Sequence, residues 1–484
     1  MENKTQYTLA SFFMILAMYF ISGHDQLEGD TLWHIRVGEW ILQNHSVPKT
    51  GIFSWTGDYA WHAHEWLWEV FAYLMYHVLG FNGVFLLTGV GFFMFFGILF
   101  YLIRGSHWYG LFLMFPLMFI SSFYFVARPH SLAFGLFALW VLMIDKNFFK
   151  RHYGWVAFFS VLIGFFWVNI HASVVLAPFI PTLYFVFKKD KRYIIATIFS
   201  FLGSLINPWF IGVYPYAFMA SRNKEIINEI SEWLSPDFHN TFLLIIVVLF
   251  LTVGLGGMIK LIKFNQHKRY APQIVMYFIF FVMFLTSIRY LPYFLFIAIW
   301  LFAIAIKDLP FKTPKTISYI ALALSILFFI VNIRELPPSD IARSQKEAFP
   351  VQAMAYLKEN NLTERVISEY YWGGYLIFEG IPAFIDGRAD MYVLSKSGVM
   401  KDFNRFMIAV DENGFYDPMR IVEKYGIETA LLKKNRLPAH FLSQNGWTMV
   451  YSDDIAEIWT KKTNLNGGQT DESTRCLYCC TVLR

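Results

Sequence analysis

Cysteine is nearly missing from this chain of 484 residues: the three present, Cys476, Cys479 and Cys480, all stand close to the C-terminus. Neither disulfides nor a cysteine metal site can therefore support the rest of the chain. Charge is also scarce. Asp, Glu, Lys and Arg make up 15% of the residues, against roughly 25% in soluble domains. That shortage excludes a disordered chain, a coiled coil and a soluble multidomain enzyme. The net charge is only +5, too little for a nucleic-acid partner and consistent with basic loops facing anionic lipid. No repeat of 20–50 residues is visible. What the chain has in excess is apolar and aromatic surface: 56% hydrophobic residues and 20% Phe, Trp and Tyr, with a mean hydropathy of +0.44. These proportions specify a polytopic membrane protein.

Apolar runs bounded by charge give the spans. The first is 7–22, which lacks a signal-peptide cleavage site. A polar, aromatic stretch follows, and then apolar sequence from Trp66 to Ile103 broken at Gly80–Gly83. Further runs lie at 108–126, 131–145, 153–170, 172–187, 193–209, 241–259, 271–288, 291–306 and 315–332. If 66–79 lies in the interface instead of crossing, sixteen Lys and Arg fall on inner loops and six on short outer loops. The opposite choice inverts every later loop and violates the positive-inside rule. The expectation is about eleven transmembrane helices, with the N-terminus cytoplasmic. The transmembrane domain is 1–333, including a first outer loop at 23–80. An extracytoplasmic α/β domain at 334–463 and a disordered tail at 464–484 complete the chain.

In this topology the chemically interesting residues all face outward. Glu28 and Asp30 make an acidic-x-acidic pair ahead of a helical pattern, Trp33/Val37/Trp40/Ile41, which is expected to lie on the membrane. Such a pair can hold a divalent cation or place one carboxylate as general base; Asp30 also stands where a helix cap would. His34 is one turn on from Asp30 and shares its face. A second cluster, Trp61-His62-Ala63-His64-Glu65-Trp66-Leu67-Trp68-Glu69, carries a polar stripe of His62, Glu65 and Glu69. It is not the H-E-x-x-H zinc signature, because Trp68 replaces the second histidine. Arg128-Pro129-His130, His171 and Arg289 stand at span ends. Ionisable groups there are either snorkelling anchors or functional, and Arg is a natural bidentate partner for phosphate.

The C-terminal portion alternates helical patterns at 352–359 and 419–424 with strand patterns at 365–369, 383–386, 429–432 and 448–451. Its punctuation is Tyr371-Trp372-Gly373-Gly374-Tyr375 and Asp386-Gly387-Arg388. Paired glycines allow close backbone approach or a tight turn, and the flanking aromatics suit either a core or a sugar.

An acidic-x-acidic pair after the first span, Trp-His segments, many spans and an outer α/β domain resemble the GT-C membrane glycosyltransferases. Glu28-x-Asp30-Thr-Leu-Trp-His34, Pro48-Lys-Thr-Gly-Ile-Phe-Ser54 and His64-Glu65-Trp66-Leu67 are similar to uncharacterised bacterial members of that superfamily. The likeness runs on through Arg128-Pro129-His130, Asn169-Ile-His171, Asn207-Pro208 and Trp372-Gly-Gly-Tyr375. The resemblance implies a sugar taken from a polyprenyl-phosphate donor at the outer leaflet, with membrane lipids around it and a glycan, lipid or protein acceptor. It implies Asp30 as base or cation ligand, with Glu28 second and His34 beside them. A magnesium or manganese ion would be held by Glu28 and Asp30; the pair is Glu-x-Asp in place of Asp-x-Asp. Arg128, His130, His171 and Arg289 would hold the donor phosphate. His64, Glu65, Trp372, Tyr375, Asp386 and Arg388 would support the acceptor or its loop. Tyr371–Tyr375 is faintly similar to the Trp-Trp-Asp-Tyr-Gly motif of oligosaccharyltransferases, without its Asp. A lipid-linked-glycan flippase and a non-catalytic assembly scaffold are the rival expectations. Almost no charge lies mid-span and no inverted repeat shows, as a transporter would require.

Overall fold

The computed structural model describes residues 8–17, 27–104, 107–146, 152–307, 315–332 and 349–461. The tail at 464–484 and both ends of the first expected span, 7–22, lie outside these residues. The described residues form two units. One runs to Val351 and takes in Tyr370–Met400; the other holds Gln352–Glu369 and the residues from Lys401 onward.

The first unit is helical. Its helices follow the apolar runs: Phe81–Ile103, His107–Ser122, Pro129–Asp145, Tyr153–Val168, Leu176–Lys188, Lys191–Ser204, Thr241–Lys263, Ala271–Thr286, Leu291–Ile306 and Lys315–Asn332. By length and composition, Phe81–Ile103, Thr241–Lys263 and Ile288–Ile306 can cross a membrane, and several of the others are shorter apolar helices. Pro129, Pro272 and Pro292 each stand in a first turn, where the missing N–H is unpaired in any residue and the fixed φ suits the helix. Part of the surplus of phenylalanine packs as an aromatic cluster between the helix Phe81–Ile103 and the loop that precedes Pro129. Phe92, Phe95, Phe96 and Phe125 are buried against one another, with ring centroids 4.6–5.6 Å apart. Such pairs add about 0.5–1.5 kcal/mol beyond the area they bury.

Two helices precede this array in function if not in length. Gly29–Asn44 packs against Trp66–Leu79 on one side and against the short helix Gly373–Phe378 on another. Leu32, Trp33, Ile35, Val37 and Ile41 are all buried by these neighbours. The Trp33/Val37/Ile41 stripe thus faces protein, not the lipid surface the sequence suggested. The physical reason is that its cover, Gly373–Phe378, comes from more than 300 residues later, where local periodicity cannot see it. Gly29 and Gly374 permit the contact: a Cβ on Gly374 would stand 2.0 Å from the Gly29 carbonyl oxygen.

The same segment corrects the expected domain boundary, since Tyr370–Met400 joins the helical unit. Residues 383–386, read as a strand, join no sheet among the described residues. They meet the first loop instead, where Ala383 N–H donates to the Phe53 carbonyl (3.0 Å) and Trp55 N–H to the Ala383 carbonyl (3.2 Å). The motif 48–54 is therefore a docking edge for the later segment.

The second unit is a small α/β fold. Its sheet has the order β1-β4-β6-β5, from β1 (Val366–Ser368), β4 (Thr429–Lys433), β5 (Trp447–Ser452) and β6 (Ala456–Lys461). β1 and β4 are parallel and the other pairs antiparallel. Short β2 (Val410–Asp411) and β3 (Gly414–Phe415) form a separate hairpin.

Candidate active site

Asp30 lies in the first turn of Gly29–Asn44, not at its cap. Glu28 holds the cap position with extended backbone, and its side chain makes no capping bond. Asp30 Oδ1 accepts the Trp33 indole N–H at 3.0 Å, and Oδ2 stands 2.9 Å from Arg128 Nη2. The Thr31 hydroxyl donates to the Ala127 carbonyl at 3.0 Å, tying this helix start to the turn that carries Arg128. A third element closes on the carboxylate. A Cβ at Gly387 would stand 1.7 Å from Asp30 Oδ1, so any larger residue there would displace the carboxylate.

Arg128 precedes Pro129 in extended backbone, as the residue before proline must. Its guanidinium reaches three carboxylates: Glu28, in close contact, Asp30, and Glu232 at 3.5 Å. Glu232 sits in the turn Ser231–Trp233, where the Ser287 hydroxyl donates to its carbonyl at 2.9 Å. Arg289 Nε lies 3.9 Å from the same carboxylate. Burial works against the charge on Glu232, but Arg289 and Arg128 together hold its pKa down at about 2. Burial wins at Glu28, whose pKa is raised despite Arg128.

Arg289 also faces His171, with Nη2 3.3 Å from Nε2. Burial, with Arg289 second, pushes the His171 pKa well below its ordinary value, so the ring is neutral. Its Nδ1 accepts the Ser173 backbone N–H at 3.1 Å. Nδ1 also lies 2.8 Å from the Ser173 hydroxyl, so the tautomer sets the roles at Nε2: it accepts from Arg289 when Nδ1 carries the proton and is a second donor beside Arg289 when Nε2 carries it. Glu65 Oε1 is 4.0 Å from Nε2. Asn169 sets that distance: its Oδ1 accepts the Trp66 indole N–H at 2.6 Å and its carbonyl the Leu67 N–H at 3.0 Å. His130 does not join the group. Its Nε2 is held by the Tyr124 carbonyl at 2.9 Å, and its ring lies 6.4 Å from that of His171. It braces the turn instead of facing a ligand.

His34 turns away from Asp30. Its Nδ1 is 3.0 Å from Glu69 Oε1 and its Nε2 3.8 Å from Glu65 Oε2. Burial pushes Glu69 well up and His34 well down in pKa. Burial thus favours the neutral form of both partners, and Nε2 faces Glu65. Glu65 is also raised by burial, and His64 Nε2 lies 3.8 Å from its Oε1. Glu65 and Glu69 share a face as the sequence pattern indicated, but His62 lies ahead of the helix and stacks on Tyr216 at 4.3 Å.

The late segment supplies support. Arg388 makes two 2.7 Å bonds to Asp386, which also accepts the Tyr392 hydroxyl at 2.5 Å. Arg388 lies 4.7 Å over the Trp61 ring. Although burial raises it, the Asp386 pKa is held below its ordinary value by Arg388. Trp372 and Tyr375, expected to support the acceptor or its loop, are buried.

The possible divalent cation at Glu28 and Asp30 would have to share their carboxylates with Arg128. Arg128 already stands between them and Glu232, and among the described residues no group of three or more His, Cys, Asp or Glu is arranged to hold a metal ion.

No protein-family model matches the chain, and no curated protein resembles it in sequence. Solved structures do match. The Archaeoglobus fulgidus oligosaccharyltransferase tethered to an acceptor peptide containing the NVT sequon aligns with a TM-score of 0.53, at 9% identity. That alignment covers 88% of this chain and 69% of the other. The archaeal oligosaccharyltransferase AglB from the same organism, in complex with an inhibitory peptide and a dolichol-phosphate, aligns over the same shares with a TM-score of 0.51 and 10% identity. The chain shares a fold, at a distance, with these GT-C-type oligosaccharyltransferases. The apo form gives 0.50 and 11%, over 89% and 69%. That fold and three helices long and apolar enough to cross a membrane point to a membrane protein.

Sequence reasoning missed Glu232, Glu69 and Gly387 as site residues. Glu69 had a signal in its i, i+4 spacing from Glu65. Glu232 and Gly387 had none, because their relation to Asp30 exists only in three dimensions.

Proposed function

We propose that this protein is a membrane glycosyltransferase. It moves a sugar from a polyprenyl-phosphate-linked donor to a hydroxyl of an extracytoplasmic acceptor, with inversion at the anomeric carbon. The observation that carries this reading is the meeting of Arg289 Nη2 and His171 Nε2, 3.3 Å apart. With the ring proton on Nε2, a phosphate oxygen would accept from both, and would be stabilised as charge builds on the leaving group. Asp30 takes the acceptor proton as its oxygen attacks the anomeric carbon, and polyprenyl phosphate departs toward Arg289. Arg128 is committed to carboxylates, so the phosphate falls to Arg289 and His171 rather than to all four groups read from the sequence. The fold supports the reading: one similar structure holds a dolichol-phosphate and another an acceptor peptide.

The direct test is binding of a polyprenyl-phosphate sugar to purified protein. Arg289→Ala is expected to weaken it by roughly 10- to 150-fold, the equivalent of about 1.5–3 kcal/mol for a lost charge-assisted hydrogen bond, while the protein stays folded. Unchanged affinity in a folded variant would reduce Arg289 to an interfacial anchor.

The site is proposed to face outward in an eleven-span arrangement with a cytoplasmic N-terminus. In a chain whose three cysteines are replaced by serine, Asp190→Cys should react in intact cells only with membrane-permeant thiol reagents. Asn360→Cys should react with impermeant ones as well. Labelling of position 190 by an impermeant reagent overturns the topology.

A further inference from the structure

We infer that the Arg128 guanidinium is the resident cation of this site, doing by a fixed side chain what a divalent metal would do between Glu28, Asp30 and Glu232. The three carboxylates arrive from three places: the residue before the helix Gly29–Asn44, its first turn, and the turn Ser231–Trp233. Each would repel the others without a positive charge between them. Arg128 contacts all three, with Nη2 shared by Glu28 and Asp30 and Nη1 directed to Glu232. Its position is built, not incidental. Pro129 imposes extended backbone on it, and the Thr31–Ala127 bond holds the preceding residue against the acidic helix. A guanidinium is planar and permanently charged, with donors spread in a fork. It can therefore bridge carboxylates that a compact ion would draw inward. The residue occupies the volume a metal would need, and it takes the oxygen lone pairs that would serve as ligands.

Two consequences follow. Asp30 stays oriented by Arg128 and Trp33 whatever metal is present. Removal of the guanidinium leaves Glu28, Asp30 and Glu232 without their shared counter-charge and free to draw together on Mg²⁺ or Mn²⁺, which prefer such oxygen donors. Arg128 is thus a positioning residue whose loss should convert the site from metal-indifferent to metal-binding.

The experiment titrates Mn²⁺ into full-length purified protein and follows the free-ion electron paramagnetic resonance signal. The wild type is expected to show no Mn²⁺ binding that Asp30→Asn removes. Arg128→Ala is expected to gain one site, which is lost again in the Arg128→Ala/Asp30→Asn double variant. A wild-type Mn²⁺ site that disappears in Asp30→Asn overturns the inference; this comparison needs no Arg128 variant, so it stands even if Arg128→Ala does not fold. A folded Arg128→Ala that gains no site also counts against it. A second arm rests on the proposed glycosyl transfer. Wild-type turnover should change less than about two-fold in EDTA. Arg128→Ala should lose roughly ten- to hundred-fold, in the range of a lost charge-assisted hydrogen bond, and recover part of that with Mn²⁺. Loss of all wild-type turnover in EDTA, restored by Mn²⁺, would also overturn the inference. Absence of transfer under every condition would count against the proposed function, and the ion titration would still decide the role of Arg128.

Discussion

Asp30→Asn protein is expected to keep its thermal stability and to lose transfer by about 10²–10⁴-fold, the contribution of a positioned general base. The substitution retains size and shape. It keeps one oxygen to accept the Trp33 indole N–H, now at 3.0 Å. No helix cap is lost, because Asp30 lies inside the first turn and Glu28 holds the cap position. The part-exposed contact with Arg128 costs roughly 1 kcal/mol or less when weakened. Activity and folding therefore separate cleanly at this residue. The check is a melting curve beside a transfer assay on the same preparation. If Asp30→Asn unfolds while activity per folded molecule is intact, the base must be sought at Glu28 or Glu65. Glu65 would then be the stronger candidate, because burial raises its pKa and His34 stands between it and the buried Glu69.

The largest stability effect is expected at Asp386. Asp386→Ala leaves the Arg388 guanidinium buried among Trp33, Phe53 and Trp61 without its counter-charge. Breaking a buried pair from one side costs roughly 3–5 kcal/mol. A double replacement, Asp386→Leu with Arg388→Met, removes both charges and should recover most of that loss. Melting temperatures of the single and double variants decide the matter: equal stability of wild type and Asp386→Ala would mean that the pair does not hold the segment. The pH dependence has a definite sign. The Asp386 pKa is lower in the fold than in the unfolded chain, since the arginine outweighs burial. Its contribution is present above the ordinary Asp value and is lost as pH falls through the folded one. Transfer should fall in the single variant too, because Gly387 rests against the Asp30 carboxylate.

Much of this molecule was readable from composition and local pattern. Apolar runs specify helices because the backbone must satisfy its own hydrogen bonds in lipid, and the helices stand where those runs lie. The importance of the Glu28–Asp30 segment was legible for the same kind of reason: two carboxylates beside a helix start are costly in an apolar chain and are rarely incidental. Asn169-Ile-His171 and Arg289 stood out as polar groups at helix ends, and the structure brings His171 and Arg289 within 3.3 Å of each other.

Tertiary structure alone decided what each of those groups does. Asp30 and Arg128 are 98 positions apart, and Gly387 lies further still, so no periodicity relates them. Periodicity reports which face of an element is apolar, not what will cover it. For that reason the Trp33/Val37/Ile41 stripe looked like a membrane face until Gly373–Phe378 was seen to cover it. The aromatics at 372 and 375 looked available to a sugar but are buried. Charge behaves likewise. A sequence shows that arginines and carboxylates exist, but pairing depends on distances of a few ångströms that only the packed chain defines. Arg128 read as a phosphate ligand by type became a cation among carboxylates by position, and His130 became a backbone brace.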